Sequence, residues 1–168
     1  MVMKKISVLL LSTLIAFSSC DKETQLDEDL DAIKSYLKKN SINAEKKNNI
    51  YHQIITLGTG EKCNESDTIA IKYTVKTLET DSVLYSYSQK AITYIMPSTV
   101  PNASDEDATQ GITSGLQYGL LEMNEGGVSK FYVPSSYAYG SSKIGDDSYV
   151  NLIYEVELCE IKRYDKKH

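Results

Sequence analysis

Tryptophan is absent from the 168 residues, phenylalanine and histidine occur twice each, and tyrosine occurs 13 times. Two histidines, one of them the terminal His168, leave little material for a histidine-based metal site or a Ser-His-Asp triad. The three cysteines form no CxxC pair or zinc-spaced cluster, and no glycine-rich loop of the phosphate-cradling kind is found. No metal and no cofactor is expected. Positive charge is also short. A net charge of −5 and a pI near 5.1 argue against a nucleic-acid partner, which selects a basic face. Beyond the N-terminus no long apolar run exists, which excludes a polytopic membrane protein. The 24% charged fraction is ordinary, so wholesale disorder does not fit either. What remains is one globular domain with some chain to spare. Any pocket in it will be lined by aromatic rings that carry a hydroxyl.

The spare chain begins with an address. Lys4 and Lys5 are followed by an apolar run from Ile6 to Phe17, and Ser18 and Ser19 lead into Cys20. Twelve residues of helix reach about 18 Å, against about 30 Å for a bilayer core. Residues 1–19 therefore read as an export signal. The Cys after small residues resembles the bacterial lipobox, with Phe17 in place of the usual Leu. That resemblance implies acylation at Cys20, a membrane contact through the N-terminal lipid, and a place in the bacterial cell envelope, on its periplasmic side or at the cell surface. Asp21 to Asp31 carries six acids and one Lys, expected to form a solvated tether. An exported chain meets an oxidising compartment, so the remaining pair, Cys63 and Cys159, is expected to form a disulfide.

Leu26, Leu30, Ile33 and Leu37 form one stripe of a helix over about 25–39, with acids early, lysines late and Asn40 as a stop. Four apolar positions are few for a dimer seam, so the helix is expected to pack on its own domain in a monomer. From residue 50 the pattern is β: 50–57, then Ile69, Ile71, Tyr73 and Val75 in strict alternation, then 83–87 and 91–95. Residues 96–110 hold two prolines and an acidic run and read as a loop. Ser114 can cap a short helix whose Leu116, Leu120 and Met123 share a face, ended by Gly126-Gly127. Strands over 128–133 and 152–159 complete an α+β domain, with Cys159 facing outward. The expected division is a signal over 1–19, tether and helix over 20–49, the domain over 50–164, and a tail over 165–168. His52 falls in the first strand and reads as a half-exposed strand residue. By conventional catalytic motifs the chain is silent.

The C-terminal half is more specific. The stretches GLQYGLLEMNEG (115–126), FYVPSSYAYG (131–140) and LIYEVEL (152–158), with LGTG (57–60) and IAIKY (69–73) upstream, strongly resemble the FKBP-type peptidyl-prolyl isomerases, in order and over about 110 residues. The resemblance implies a twisted antiparallel sheet around one short helix, and proline-containing polypeptides as substrates. It also accounts for the missing motifs. Turning an X-Pro bond crosses a barrier of about 18–20 kcal/mol set by amide resonance, and no bond breaks. A site needs an apolar pocket for the ring and a donor suited to the twisted carbonyl.

Residue by residue, Tyr139 matches the tyrosine that donates to the substrate carbonyl, and Tyr73 matches the second-strand tyrosine. Tyr85 and Tyr154 stand where phenylalanines are usual, Ile112 and Thr113 at a Val-Ile pair, and Leu116 at the pocket floor. Ser86 replaces a pocket-edge aspartate and is counted with Tyr139 and Tyr73 in the catalytic set. The loop after Gly140 is shorter and lacks Ile-Pro-Pro, and the 96–110 loop is longer. A serine for a carboxylate and two tyrosines for phenylalanine imply a more polar pocket. Two functions stay open: an isomerase assisting the folding of exported proteins, or a catalytically weak chaperone or peptide-binding module using the same groove.

Overall fold

The computed structural model describes residues 18–101 and 111–164, so 1–17 of the expected signal over 1–19, the lipid expected on the Cys20 side chain, the acidic run of the long loop and the 165–168 tail lie outside the described residues. The first element among the described residues is helix α1, Ser18–Lys39. Its end is a Schellman turn. Ser41 takes a positive φ of 55°, its N–H donates to the Lys38 carbonyl at 3.2 Å, and the Ile42 N–H donates to the Leu37 carbonyl at 2.9 Å.

Two strands then form a hairpin, β1 (Glu45–Lys47) and β2 (Ile50–Thr56). Asn48 and Asn49 both have positive φ, the geometry of the two-residue turn that matches strand twist. β3 (Thr68–Thr77) buries every second residue, as its alternation predicts. It is followed by β4 (Val83–Ser86), β5 (Ile92–Ile95), helix α2 (Ser114–Leu120), β6 (Val128–Val133) and β7 (Leu152–Lys162). All pairings are antiparallel in the order β1-β2-β6-β7-β3-β4, and β5 pairs with the first half of β3.

α2 lies on the inner face of this sheet. Its Leu116 and Leu120 are fully buried among Tyr73, Val75, Phe131, Val133, Tyr154 and Val156. The approach is close: a Cβ on Gly115 would come within 2.3 Å of Val133 Cγ1. α1 covers the outer face. Ile33 and Leu37 pack with Leu78, Tyr132 and Ile153, and Tyr132 and Ile153 are register partners on β6 and β7. At Phe131–Val133 and Leu152–Tyr154 these two strands are therefore buried on both faces, and the helix packs on its own domain.

Three expectations are corrected. Asp21–Asp31 is helical, as part of α1, and although Asp27, Glu28 and Asp31 are exposed as expected, Asp29 is 2% exposed, because Ser135 and Ser136 meet its carboxylate. Thr113, not Ser114, occupies the N-cap of α2, and the Ser114 hydroxyl instead donates to the Tyr137 carbonyl at 3.2 Å. Cys63 and Cys159 are free thiols rather than a disulfide. Cys63 belongs to the inner core, with its N–H on the Met123 carbonyl at 3.0 Å. Cys159 is the extra residue where β7 slips against β3, since Ile71 pairs with Leu158 and Ala70 with Glu160. It points away from the face that Leu158 fills, so the two thiols are directed into different environments.

Candidate active site

The inner face gathers tyrosines above α2. Tyr73 and Tyr154 project from β3 and β7, Leu116 lies beneath them at 0% exposure, and Tyr139 joins the same cluster from the segment after β6. Burial pushes the Tyr154 phenol well above the usual tyrosine range; the Thr113 hydrogen bond opposes this, and Tyr139 and Tyr73 add to it. Burial likewise raises Tyr73, with Tyr87 and Tyr85 contributing. These rings are neutral at physiological pH. They can act as apolar walls and hydroxyl donors, not as charges.

The Tyr154 hydroxyl is fully committed. It donates to the Gly111 carbonyl at 2.9 Å, so the Thr113 hydroxyl, 2.9 Å away, must donate to it. This chain of two bonds fixes Gly111-Ile112-Thr113 at the start of α2. Ile112 and Thr113 are buried there. Tyr85, 37% exposed, lies on the same segment: a Cβ on Gly111, whose φ is +75°, would come within 2.7 Å of its ring. The greater pocket polarity expected of Tyr154 is thus not realised, because its hydroxyl is turned to the backbone.

Ser86 does not join the site. It is paired with Thr74, on the face opposite Tyr73 and Val75, and its hydroxyl lies 3.2 Å from those of Thr74 and Ser88. Register explains the correction, since neighbouring strand residues face opposite ways. Its place beside Tyr73 is taken by Tyr87. The Tyr87 N–H donates to the Tyr73 carbonyl at 2.8 Å, and the two rings stand 5.2 Å apart. Sequence reasoning missed Tyr87, although a period of two from Tyr85 points to it. His52 is a structural strand residue, with Nε2 2.9 Å from Ser129 Oγ and its ring 4.7 Å from Phe131.

The backbone that carries Tyr139 is tied from several directions. After the Ser135–Tyr137 turn, the Ser135 carbonyl accepts N–H bonds from Ala138 and Gly140, both at 2.9 Å, on either side of Tyr139. The Ser135 N–H donates to Asn151 Oδ1 at 3.0 Å, just before β7.

Residues 59–159 match the model of the FKBP-type peptidyl-prolyl cis-trans isomerases, more than half of the chain. The chain belongs to this family. It is 28% identical over 119 residues to the outer membrane protein MIP of Legionella longbeachae, covering 68% of this chain and 45% of that protein. It is 24% identical over 115 residues to the FKBP-type peptidyl-prolyl cis-trans isomerase FkpA of Escherichia coli strain K12, covering 67% and 38%. The chain thus spans less than half the length of these curated relatives. The crystal structure of FkpA superposes with a TM-score of 0.61 at 19% identity, over 86% of this chain and 64% of that one. A peptidyl-prolyl cis-trans isomerase from Pseudomonas syringae pv. tomato gives a TM-score of 0.58 at 20% identity, over 82% and 96%. The FKBP-like antiparallel sheet and its helix are therefore shared, with α1 in addition. Among the described residues no helix is long and apolar enough to cross a membrane.

Proposed function

We propose that this FKBP-family chain is a peptidyl-prolyl cis-trans isomerase acting on proline-containing polypeptides, held at the cell envelope by a lipid on Cys20 and assisting the folding of exported proteins. The observation that carries the proposal is the cluster of Tyr73, Tyr154 and Tyr139 over Leu116 on the inner face of the sheet. In this reading Leu116 is the floor for the proline ring, Tyr73, Tyr85, Ile112 and Tyr154 are its walls, and Thr113 serves through Tyr154. Tyr139 donates its hydroxyl to the carbonyl of the bond being turned. A dry aromatic site favours the twisted amide, whose nitrogen has lost its resonance charge, over the planar one. A hydrogen bond to the rotating carbonyl adds to that preference. As a monomer, the chain would need nothing but these side chains.

One observation favours the binding-module reading as a second possibility. The Ser86 hydroxyl is on the outer face, so the β4 residue aligned with the family aspartate contributes no polar group to the pocket. The refolding of a protein whose slow phase is proline isomerisation separates the two readings, since that phase takes tens of seconds uncatalysed. Substoichiometric chain that accelerates the slow phase supports an isomerase. Retarded refolding that scales with stoichiometric chain supports a module that only binds, and overturns the isomerase.

A further inference from the structure

Helix α1 lies outside residues 59–159 that match the family, yet one of its side chains reaches the backbone that carries Tyr139. Asp29 is 2% exposed, and both its carboxylate oxygens are used. Gln25 Nε2 donates to Oδ1 at 2.9 Å. The Ser135 hydroxyl donates to Oδ2 at 2.5 Å, and the Ser136 N–H approaches the same oxygen at 3.4 Å. No lysine or arginine is paired with this carboxylate among the described ion pairs. A buried carboxylate held only by neutral donors is costly, and such a group is more than a surface contact.

Ser135 is the point where three parts of the molecule meet. Its hydroxyl is bound by α1 and its N–H by Asn151 before β7, while its carbonyl receives the N–H groups of Ala138 and Gly140. Those two residues flank Tyr139. Ser135 is therefore bonded to the backbone on both sides of Tyr139. Other bonds tie the same segment elsewhere: the Ser114 hydroxyl donates to the Tyr137 carbonyl at 3.2 Å, Asn49 Nδ2 to the Tyr137 hydroxyl at 3.0 Å, and the Tyr149 N–H to the Gly140 carbonyl at 3.1 Å.

We infer that Asp29 is a positioning residue for the isomerase site: through Ser135 it sets the place of the Tyr139 hydroxyl, and so makes α1 a working part of the catalytic unit. This rests on the isomerase reading given above.

The test uses the whole chain and its variants Asp29→Asn, Asp29→Ala, Ser135→Ala and the double Asp29→Ala/Ser135→Ala, each shown folded by circular dichroism. Turnover of a proline tetrapeptide gives kcat and KM separately. Fluorotyrosine labelling gives a 19F resonance for Tyr139, assigned by its loss in Tyr139→Phe. Asp29→Ala is expected to lower kcat about tenfold with KM changed less than about twofold, as for a misplaced transition-state donor. Asp29→Asn, which keeps an acceptor for Ser135, should lose less, and the double variant should lose no more than Asp29→Ala alone. The Tyr139 resonance should move in Asp29→Ala while those of Tyr73 and Tyr154 stay. Unchanged kcat and an unmoved Tyr139 resonance in a folded Asp29→Ala would overturn the inference, as would equal shifts at all three tyrosines, which signify general loosening. A wild type without turnover removes the isomerase reading alone, and the selective resonance shift then decides whether Asp29 positions Tyr139.

Discussion

The hydroxyl of Tyr154 donates to the carbonyl of Gly111 across 2.9 Å of fully buried space. The bond joins the last strand to the segment that opens α2, and it receives a second bond from Thr113. Tyr154→Phe would strand a buried carbonyl and a buried hydroxyl. It is expected to cost about 1–3 kcal/mol of stability. Thr113→Val, which leaves the Gly111 bond intact, should cost less. Urea unfolding of the two variants checks the order, and a neutral Tyr154→Phe would show that the hydroxyl is not structural.

Gly111 carries a second expectation. Its φ of +75° and the Tyr85 ring 2.7 Å from a built Cβ penalise a side chain twice. Gly111→Ala should lose about 1–2 kcal/mol from the left-handed backbone alone, and more from the ring it displaces. Adding Tyr85→Ala should recover the steric part and not the backbone part. Thermal unfolding of the single and double variants measures both. Full recovery would mean that the backbone is unstrained.

The inner face of the fold was legible in the sequence, and the reason is periodicity. Ile69, Ile71, Tyr73 and Val75 announced β3, and Leu116 and Leu120 announced the buried side of α2. What failed was whatever depended on contacts between distant segments. Asp29 looks like any acid in a charged run until Ser135 is found against it, 106 residues away. Cys63 and Cys159 made an even pair by counting, but a bulge in β7 and a core position for Cys63 fall outside counting. Two misses had a local signal. Asn48-Asn49 marks the hairpin of β1 and β2, and the same alternation that placed Tyr85 inward puts Ser86 out and Tyr87 in. The tyrosine excess also has a more particular meaning. The hydroxyl of Tyr154 is spent on backbone, so Tyr for Phe there does not make the pocket wetter.

Free thiols lead to a redox expectation. Burial pushes the Cys63 thiol up to about 12, with Asp67 adding to the effect, and burial also raises Cys159. Both should react slowly with a disulfide reagent at pH 8, and the half-buried Cys159 should react before Cys63. Peptide mapping after timed labelling checks the order. Reductant should leave the melting temperature unchanged. A marked drop would reveal a stabilising disulfide.

His52 gives a pH expectation. Burial on Phe131 lowers its pKa below the ordinary 6.5. The unfolded chain then takes up the proton first as pH falls, so the contribution is complete above about pH 6.5 and is lost between there and the lower folded value. Stability should fall as pH goes from about 7 to 5. His52→Gln should flatten that slope. Chemical unfolding across the range checks it, and an unchanged slope in the variant would assign the effect to other groups.

The most direct measurement is the isomerisation rate of a proline tetrapeptide without a coupling protease, with the wild-type chain beside Tyr139→Phe. Wild type is expected to accelerate the reaction at substoichiometric concentration. Tyr139→Phe should fall by about 5- to 30-fold, the loss of one hydrogen bond of about 1–2 kcal/mol in the transition state. A folded wild type that binds the peptide but leaves its rate at the uncatalysed value would contradict the isomerase assignment. Equal rates for the two proteins would remove Tyr139 from the chemistry.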